Sequence, residues 1–323
     1  MTSKRIFVTG ASGCIGHYVV EALIQETNHE LYLLLRNPEK LKVDYRARPG
    51  ITVLQADLRE IERFSSLLKT MDGAVLIATA WGGPQEVYDI NVVKMLQLMN
   101  LLDPEKCEQV IYFSTASILD RQNQLLQEAG EIGTDYIRSK YLCYQQLSKL
   151  AIAPRITTLF PTLLLGGDAN KPYSHISSGI PQVEEWLWLL RFLQTDASFH
   201  FIHGKDIAQI VRHLIDHPPA ENEPHQLVLG NQMVTVNQAI EESCAYLNKR
   251  IYFRIPLTPK LANLIIRLFR IRMAAWDRFS MNYRHFTHQR VVSPEDFGLP
   301  TYCATFTDVL KISGVGRRRK RRR

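Results

Sequence analysis

The sequence predicts a doubly wound α/β fold, a parallel sheet covered by helices on both faces, followed by a smaller C-terminal lobe. Three observations carry this. Short, almost wholly apolar runs alternate with amphipathic helical patterns through the first half of the chain. The first of these runs ends in a glycine-rich turn, Gly10-Ala11-Ser12-Gly13-Cys14-Ile15-Gly16, placed where a helix begins. From about residue 162 the alternation loosens and loop-forming residues become frequent. Continuously apolar strands fit a sheet buried on both faces. Strands alternating with helices imply parallel order and right-handed crossovers.

Taken in order, residues 5–9 read as a strand, 18–25 as a helix and 31–35 as a second strand stopped by Asn37-Pro38. Further strands are expected at 51–55, 73–78, 109–113 and 155–159, and helices at 59–68, 87–102 and 136–150. Pro172, Gly179 and Pro181 mark loops. Beyond them, helices are expected at 184–193, 205–216, 236–248 and 259–272, with short strands at 199–203 and 226–229. The expected organisation is a dinucleotide-binding Rossmann domain over 1–161, to which later segments return. A mainly substrate-binding lobe with C-terminal helices covers 162–312, and a basic, disordered tail covers 313–323.

The chain has 323 residues, 46% hydrophobic and 22% charged, an ordinary globular composition able to bury a substantial core. Its net charge of +7 is matched by the seven cations of the run RRRKRRR at 317–323, so the remainder is balanced. Such a run repels itself. It is either a solvated tail or an anchor on an acidic surface, a nucleic acid or an anionic membrane. Nothing else reads as a nucleic-acid module. The five cysteines, Cys14, Cys107, Cys143, Cys244 and Cys303, are scattered, which argues against a disulfide framework or a metal site. No signal-peptide pattern is visible, and the apolar stretches are short for a membrane span. A cytoplasmic location is expected, with peripheral membrane contact the alternative.

The glycine turn has a physical logic. Gly10 permits a tight turn, Gly13 lets a phosphate approach the helix start, and Gly16 allows close helix–strand packing. Free backbone amides of Cys14 and Ile15 then face the anion. Ser12 either contacts phosphate or caps the helix. An acidic residue ending the second strand would bind the ribose diol of NAD. Arg36 stands there instead, suited to a 2′-phosphate, with Lys40 nearby. NADP is the expected cofactor, with NAD open if Arg36 only stacks on adenine. Asp57, followed by Leu58, is placed to accept from the adenine amino group or to cap the next helix.

Tyr136 and Lys140 stand four apart, on one face of a helix. A cation beside a phenol favours the phenolate and lowers its pKa. Tyr136 is then the candidate acid/base, with Lys140 also reaching the nicotinamide ribose. Ser114, Thr115 and Ser117 end the fifth strand, where a hydroxyl can hold a substrate oxygen.

These motifs together resemble the extended short-chain dehydrogenase/reductase family, also described as NAD-dependent epimerase/dehydratase proteins. Thr9-Gly10-Ala11-Ser12-Gly13-Cys14-Ile15-Gly16 is similar to its TGxxGxxG turn, and Asp57-Leu58 to its acidic site after the third strand. Ala78-Thr79-Ala80 resembles its cofactor-lining segment and Asn91 its structural asparagine. Tyr136 to Lys140 matches YxxxK, and Phe160-Pro161-Thr162 with Gly166 resembles RPxxxxG. Phe201-Ile202-His203 with Asp206 resembles a late strand and helix start. The resemblance implies Tyr136 as acid/base, Lys140 as its partner and Thr115 as the active hydroxyl, with Ser117 competing and Ser114 structural or near the cofactor. It also implies a cofactor lined by Ala78, Thr79, Ala80, Asn91, Ser114, Pro161 and Thr162, and a homodimer.

Departures narrow the chemistry. Thr115-Ala116-Ser117 stands where sugar-nucleotide dehydratases carry Thr-Asp-Glu, and Leu119-Asp120 replaces a Tyr-Gly. A hydride-transferring reductase or dehydrogenase needs neither. The competing readings are a nucleoside-diphosphate-sugar epimerase with tightly bound NAD and a non-catalytic dinucleotide-binding protein. Trp186, Trp188, Phe192, Phe199 and Phe201 offer area for an apolar substrate or for a core, and His175 and His203 offer polar contacts to substrate or phosphate.

Overall fold

The computed structural model describes residues 3–315 apart from 221, 222 and 224, so the basic run at 317–323 lies outside the described residues. Six strands follow one another as β1 (Arg5–Thr9), β2 (Glu30–Leu35), β3 (Ile51–Gln55), β4 (Gly73–Leu76), β5 (Gln109–Phe113) and β6 (Ile156–Pro161). With Gln226–Leu229 they form one seven-stranded sheet in the order β3-β2-β1-β4-β5-β6 and then Gln226–Leu229. Every pairing is parallel. Chain direction across the sheet reverses between β1 and β4, which opens a crevice at the carboxyl ends of the strands.

Successive strand residues face opposite sides, and each side has its own core. On one side Val8, Leu33, Val75 and Ile111 meet Val19 and Leu23 of helix α1 (Cys14–Glu26). On the other, Phe7, Leu34, Leu76 and Tyr112 meet Leu98, Cys143 and Leu147. The last two belong to helix α2 (Asp135–Leu147). Each buried Val, Leu, Ile or Phe among them contributes about 1.5–3 kcal/mol.

Several elements depart from the sequence expectation. The helix expected over 259–272 ends at Leu268, and the strand expected over 199–203 is divided at His200 into Ser198–Phe199 and Phe201–His203. The segment at 87–102 is α-helical over Pro84–Tyr88 and Met95–Leu101, with a π-helical Asp89–Lys94 between them. The wider turn carries the fully buried Asn91, a common use of π-helix at functional places. The segment at 59–68 is a 3-10 helix, Leu58–Phe64, followed by one α-helical turn. Gly179 and Pro181 do not mark a loop. They lie within the helix His175–Leu190, whose start is capped by Ser174 and whose Ile180 and Leu187 are buried. Burial of those side chains outweighs the local helix penalty.

Residues past 161 divide between sheet and lobe. Helix α3 (Gly204–Asp216) covers the face beside α1, with Ile207, Val211 and Leu214 in its core. Gln226–Leu229 extends the sheet beyond β6. The lobe proper comes from the intervening and later segments, joined by short pairings such as Leu163–Leu165 with Phe201–His203.

Asp206 at the start of α3 ties the lobe to the sheet. It is fully buried, and its two carboxylate oxygens accept from Tyr302 N–H at 2.6 Å and Cys303 N–H at 3.2 Å. Burial pushes its carboxyl pKa up to about 6, against the opposing pull of those two bonds. Asp206→Ala strands both amides and is expected to cost about 2–4 kcal/mol in urea unfolding. A loss below about 0.5 kcal/mol, typical of an inert surface site, would contradict the anchoring role.

Candidate active site

The glycine turn is fixed by close backbone contacts. Gly10 has φ +75°, and a Cβ there would lie 2.5 Å from the Ala78 nitrogen at the end of β4. A Cβ on Gly16 would fall 2.1 Å from the Gly10 carbonyl oxygen. Gly13 differs, because a Cβ there would meet only the Gly10 oxygen, at 3.4 Å. The fold therefore demands glycine at 10 and 16, while the space above Gly13 is open. Gly13 is the N-cap of α1 and no side chain caps the helix, which leaves amides of its first turn for an anion. Ser12 does not cap the helix. Ile15 is half-buried against the α1 core. The Cys14 sulfur lies toward Gly166, and burial pushes its thiol pKa up to about 12, so it is not a nucleophile at neutral pH.

At the far end of the crevice Arg36 follows β2 with its side chain 72% exposed. Its guanidinium stands 3.7 Å from the Asp57 carboxylate. Asp57 accepts from Arg59 N–H at 2.9 Å, and Glu60 accepts in return from Asp57 N–H at 3.0 Å, a reciprocal cap. Leu58 is buried in the core beneath. Lys40 ends an exposed turn, Pro38–Lys40.

Between these ends, Ala78-Thr79-Ala80 continues from β4. Asn91 holds it from behind. Its amide oxygen accepts from Ala80 N–H at 2.7 Å and from the Thr79 hydroxyl at 3.1 Å. Its amide nitrogen donates to Ala80 O at 3.1 Å and to the Ser139 hydroxyl at 3.0 Å. The Ser139 hydroxyl donates to Tyr136 O at 2.7 Å. The expectation that Asn91 lines the cofactor is thus corrected. It is fully buried with both polar atoms engaged, and it couples the lining segment to helix α2.

Helix α2 begins at a Thr134 cap, whose hydroxyl accepts from Ile137 N–H. Tyr136 therefore sits in the first turn, beside the Thr115 hydroxyl. Thr115 in turn caps the short Ala116–Ile118 turn after β5 by accepting from Ser117 N–H at 3.3 Å. Lys140 is 1% exposed and donates to Phe113 O, the last carbonyl of β5, at 2.7 Å. Burial pushes its pKa down to about 8. The helical spacing predicts a cation that lowers the Tyr136 pKa. Instead desolvation dominates and raises it to about 12, and the Thr115 contact only partly opposes this. Lys140 points to a backbone carbonyl rather than to the phenol. Ser114 is buried, with its hydroxyl unpartnered among the described residues.

Trp81 was missed by sequence reasoning. Its indole stacks on the Tyr136 ring at 3.9 Å and 19°, and meets His175 edge-on at 4.9 Å. It is 55% exposed, so it walls the site from the solvent side. The available signal was a bulky aromatic directly after Ala80 and ahead of Gly82-Gly83. His175 thereby reaches the site, whereas His203 does not. His203 is buried against Tyr18 and Tyr302, with its pKa pushed down to about 4 by burial. The aromatic residues proposed for an apolar substrate scatter instead of converging. Phe201 is buried in the lobe core with Phe199 packed against it, Phe192 stacks on Phe253, and Trp186 and Trp188 are exposed. Pro161 ends β6, and the Thr162 hydroxyl donates to Leu229 O at 2.8 Å, which turns it toward the seventh strand.

Asn91→Ala removes four hydrogen bonds at once. It is expected to destabilise the fold by about 2–4 kcal/mol and to weaken cofactor binding and turnover together. Unchanged turnover in a folded variant would contradict the coupling.

The fold recurs in known proteins. The dTDP-glucose 4,6-dehydratase from Bacillus anthracis str. Ames, solved with NAD, superposes with TM-score 0.66 at 14% identity over 99% of this chain and 98% of that one. The enzyme WbmG from Bordetella bronchiseptica, solved with NAD and UDP, gives 0.63 at 14% identity over 96% and 94%. UDP-glucose 4-epimerase from Thermotoga maritima gives 0.61 at 13% identity over 98% and 99%. At such identities the likeness shows the fold alone. Quinone oxidoreductase 2 of Escherichia coli (strain K12) is 34% identical over 89 residues, 27% of this chain and 30% of that protein, so the match spans under a third of the relative. Residues 6–230 match the profile of the NAD dependent epimerase/dehydratase family, and with its glycine turn, sheet order and YxxxK helix this chain belongs to that family.

Proposed function

We propose that the protein is an NADP(H)-dependent oxidoreductase acting between a carbonyl and the corresponding secondary alcohol of a small, partly apolar substrate. The carrying observation is the convergence of Thr115, Tyr136 and Lys140 at the carboxyl end of β5, one strand from the crevice that the glycine turn borders. The stretch shared with Quinone oxidoreductase 2 supports the oxidoreductase side of the family.

The residues fit a nicotinamide dinucleotide. The open space above Gly13, the uncapped start of α1 and the exposed Arg36 suit a pyrophosphate and a 2′-phosphate. When bound, the cofactor supplies or accepts the hydride at the substrate carbon. The protein's own groups handle the oxygen. With a pKa of about 12, Tyr136 is protonated at neutral pH and can donate to an alkoxide forming during reduction. Thr115 holds the same oxygen. Lys140, charged below about pH 8, donates to Phe113 O and so pins helix α2 to the end of β5, where Thr115 and Tyr136 meet. Trp81 and His175 wall the opening beside Tyr136 and offer apolar surface to a substrate there. Elimination of water lacks its acid and base, because Ala116 is apolar and Ser117 is a hydroxyl.

A second reading is a nucleoside-diphosphate-sugar epimerase with tightly held NAD. The Arg36–Asp57 ion pair favours it, because the carboxylate offsets part of the charge on which a 2′-phosphate depends.

Titration with both cofactors separates the readings. NADPH is expected to bind more tightly, and Arg36→Ala to weaken it about 10–100-fold while changing NADH less than about threefold. Equal or tighter NADH binding by the parent protein would overturn NADP preference. For carbonyl reduction, kcat/KM is expected to fall as pH rises through about 8, where Lys140 loses its charge while Tyr136 keeps its proton. A flat profile through that range would remove Lys140 from the mechanism.

A further inference from the structure

Within the lobe, residues 252–272 combine exposed apolar side chains with cationic ones. Tyr252, Phe253, Leu264, Leu268, Phe269 and Ile271 are 72%, 57%, 60%, 72%, 70% and 50% exposed. Leu264 and Leu268 stand four apart on the helix Pro259–Leu268, so they share one face. The patch does not end with that helix. Phe253 stacks on Phe192 at 4.7 Å, and Ile255 pairs with Leu193, which links it to the end of the helix that carries the exposed Trp186 and Trp188. The hydrogen bond that ties Pro259–Leu268 to the body is polar, from the Arg278 guanidinium to the Asn263 side chain at 2.7 Å. The apolar face has no partner of its own among the described residues.

Charge identifies the occupant. Residues 249–276 contain seven basic side chains and no acidic one. Outside this stretch and the terminal run, the chain carries 25 basic against 32 acidic residues, so the positive charge is concentrated here. Among the described residues only Arg254 of the seven is ion-paired, to Glu241 at 2.9 Å. Lys260, Arg267, Arg270 and Arg272 interleave with the exposed apolar residues. Cations facing anionic headgroups, with large apolar side chains between them entering the acyl boundary, is the pattern of an amphipathic segment lying in a membrane interface, here the helix Pro259–Leu268 and the four residues after it. A nucleic acid would use the cations and leave Leu264, Leu268 and Ile271 without an apolar partner.

We infer that the surface formed by residues 252–272 docks the protein peripherally on an anionic lipid bilayer. No helix among the described residues is long and apolar enough to cross one, so the contact lies in the interface. The inference stands apart from the proposed reaction, since none of these residues belongs to the candidate active site.

The test is sedimentation of the full chain with phosphatidylcholine vesicles, with and without phosphatidylglycerol. One variant combines Leu264→Ser, Leu268→Ser and Phe269→Ser; a second combines Arg267→Glu, Arg270→Glu and Arg272→Glu. Binding is expected only to the phosphatidylglycerol vesicles and to fall roughly tenfold or more in each variant, with the terminal run 317–323 intact. Both variants are expected to keep the parent's melting temperature and dinucleotide affinity, because the altered side chains are exposed. Undiminished vesicle binding by the serine variant would overturn the inference and assign the attraction to the terminal run. A loss of RNA binding or of a soluble dimer in the variants, with vesicle binding unchanged, would overturn it equally.

Discussion

Both ends of the candidate mechanism hang on a single buried amide. Asn91 bonds to the segment after β4 through Ala80 and Thr79, and to helix α2 through Ser139. The first of these lines the crevice and the second carries Tyr136 and Lys140. With no water to replace a lost partner, each unmatched group would carry a desolvation penalty of about 1–3 kcal/mol. The amide thus admits one register between segment and helix. The π-helical turn at Asp89–Lys94 carries it, and Gly10 lets β1 come close enough to Ala78 to complete the crevice wall. Departures from regular structure gather where the site is made.

The electrostatics of the site follow from the same burial. Tyr136 and Lys140 are both desolvated, and desolvation moves their pKa values in opposite directions, the phenol to about 12 and the ammonium to about 8. The neutral phenol is the form that donates a proton. The ammonium remains mostly charged at neutral pH. Nearby, Trp81 stacks on the phenol ring and is itself more than half exposed, so it shields the phenol on its solvent side.

Much of this was legible in the sequence, for identifiable reasons. The glycine turn is a local signal, because Gly10 and Gly16 are demanded by contacts within and just beyond the turn. The six early strands declared themselves as apolar runs, and Tyr136 and Lys140 by their spacing on one helix. Other features depend on contacts between distant segments. Trp81 meets Tyr136 and His175 only after β4, α2 and the lobe are assembled. The helix through Gly179 and Pro181 runs against local propensity and rests on burial of Ile180 and Leu187. The expected lowering of the Tyr136 pKa failed because spacing shows a neighbouring cation but not the desolvation of both groups. The aromatic residues 186, 188, 192, 199 and 201 looked like one substrate wall in sequence, and the fold distributes them between core and surface.

The central claim is that Tyr136 passes the proton that accompanies hydride transfer. Its most direct test is single-turnover oxidation of NADPH by Tyr136→Phe with a carbonyl substrate accepted by the parent protein, alongside the cofactor Kd. The expected result is a rate lowered about 10²–10⁴-fold with cofactor affinity changed less than about threefold, since the phenylalanine keeps the ring beneath Trp81 and removes only the hydroxyl. Transfer at the parent's rate would contradict the account.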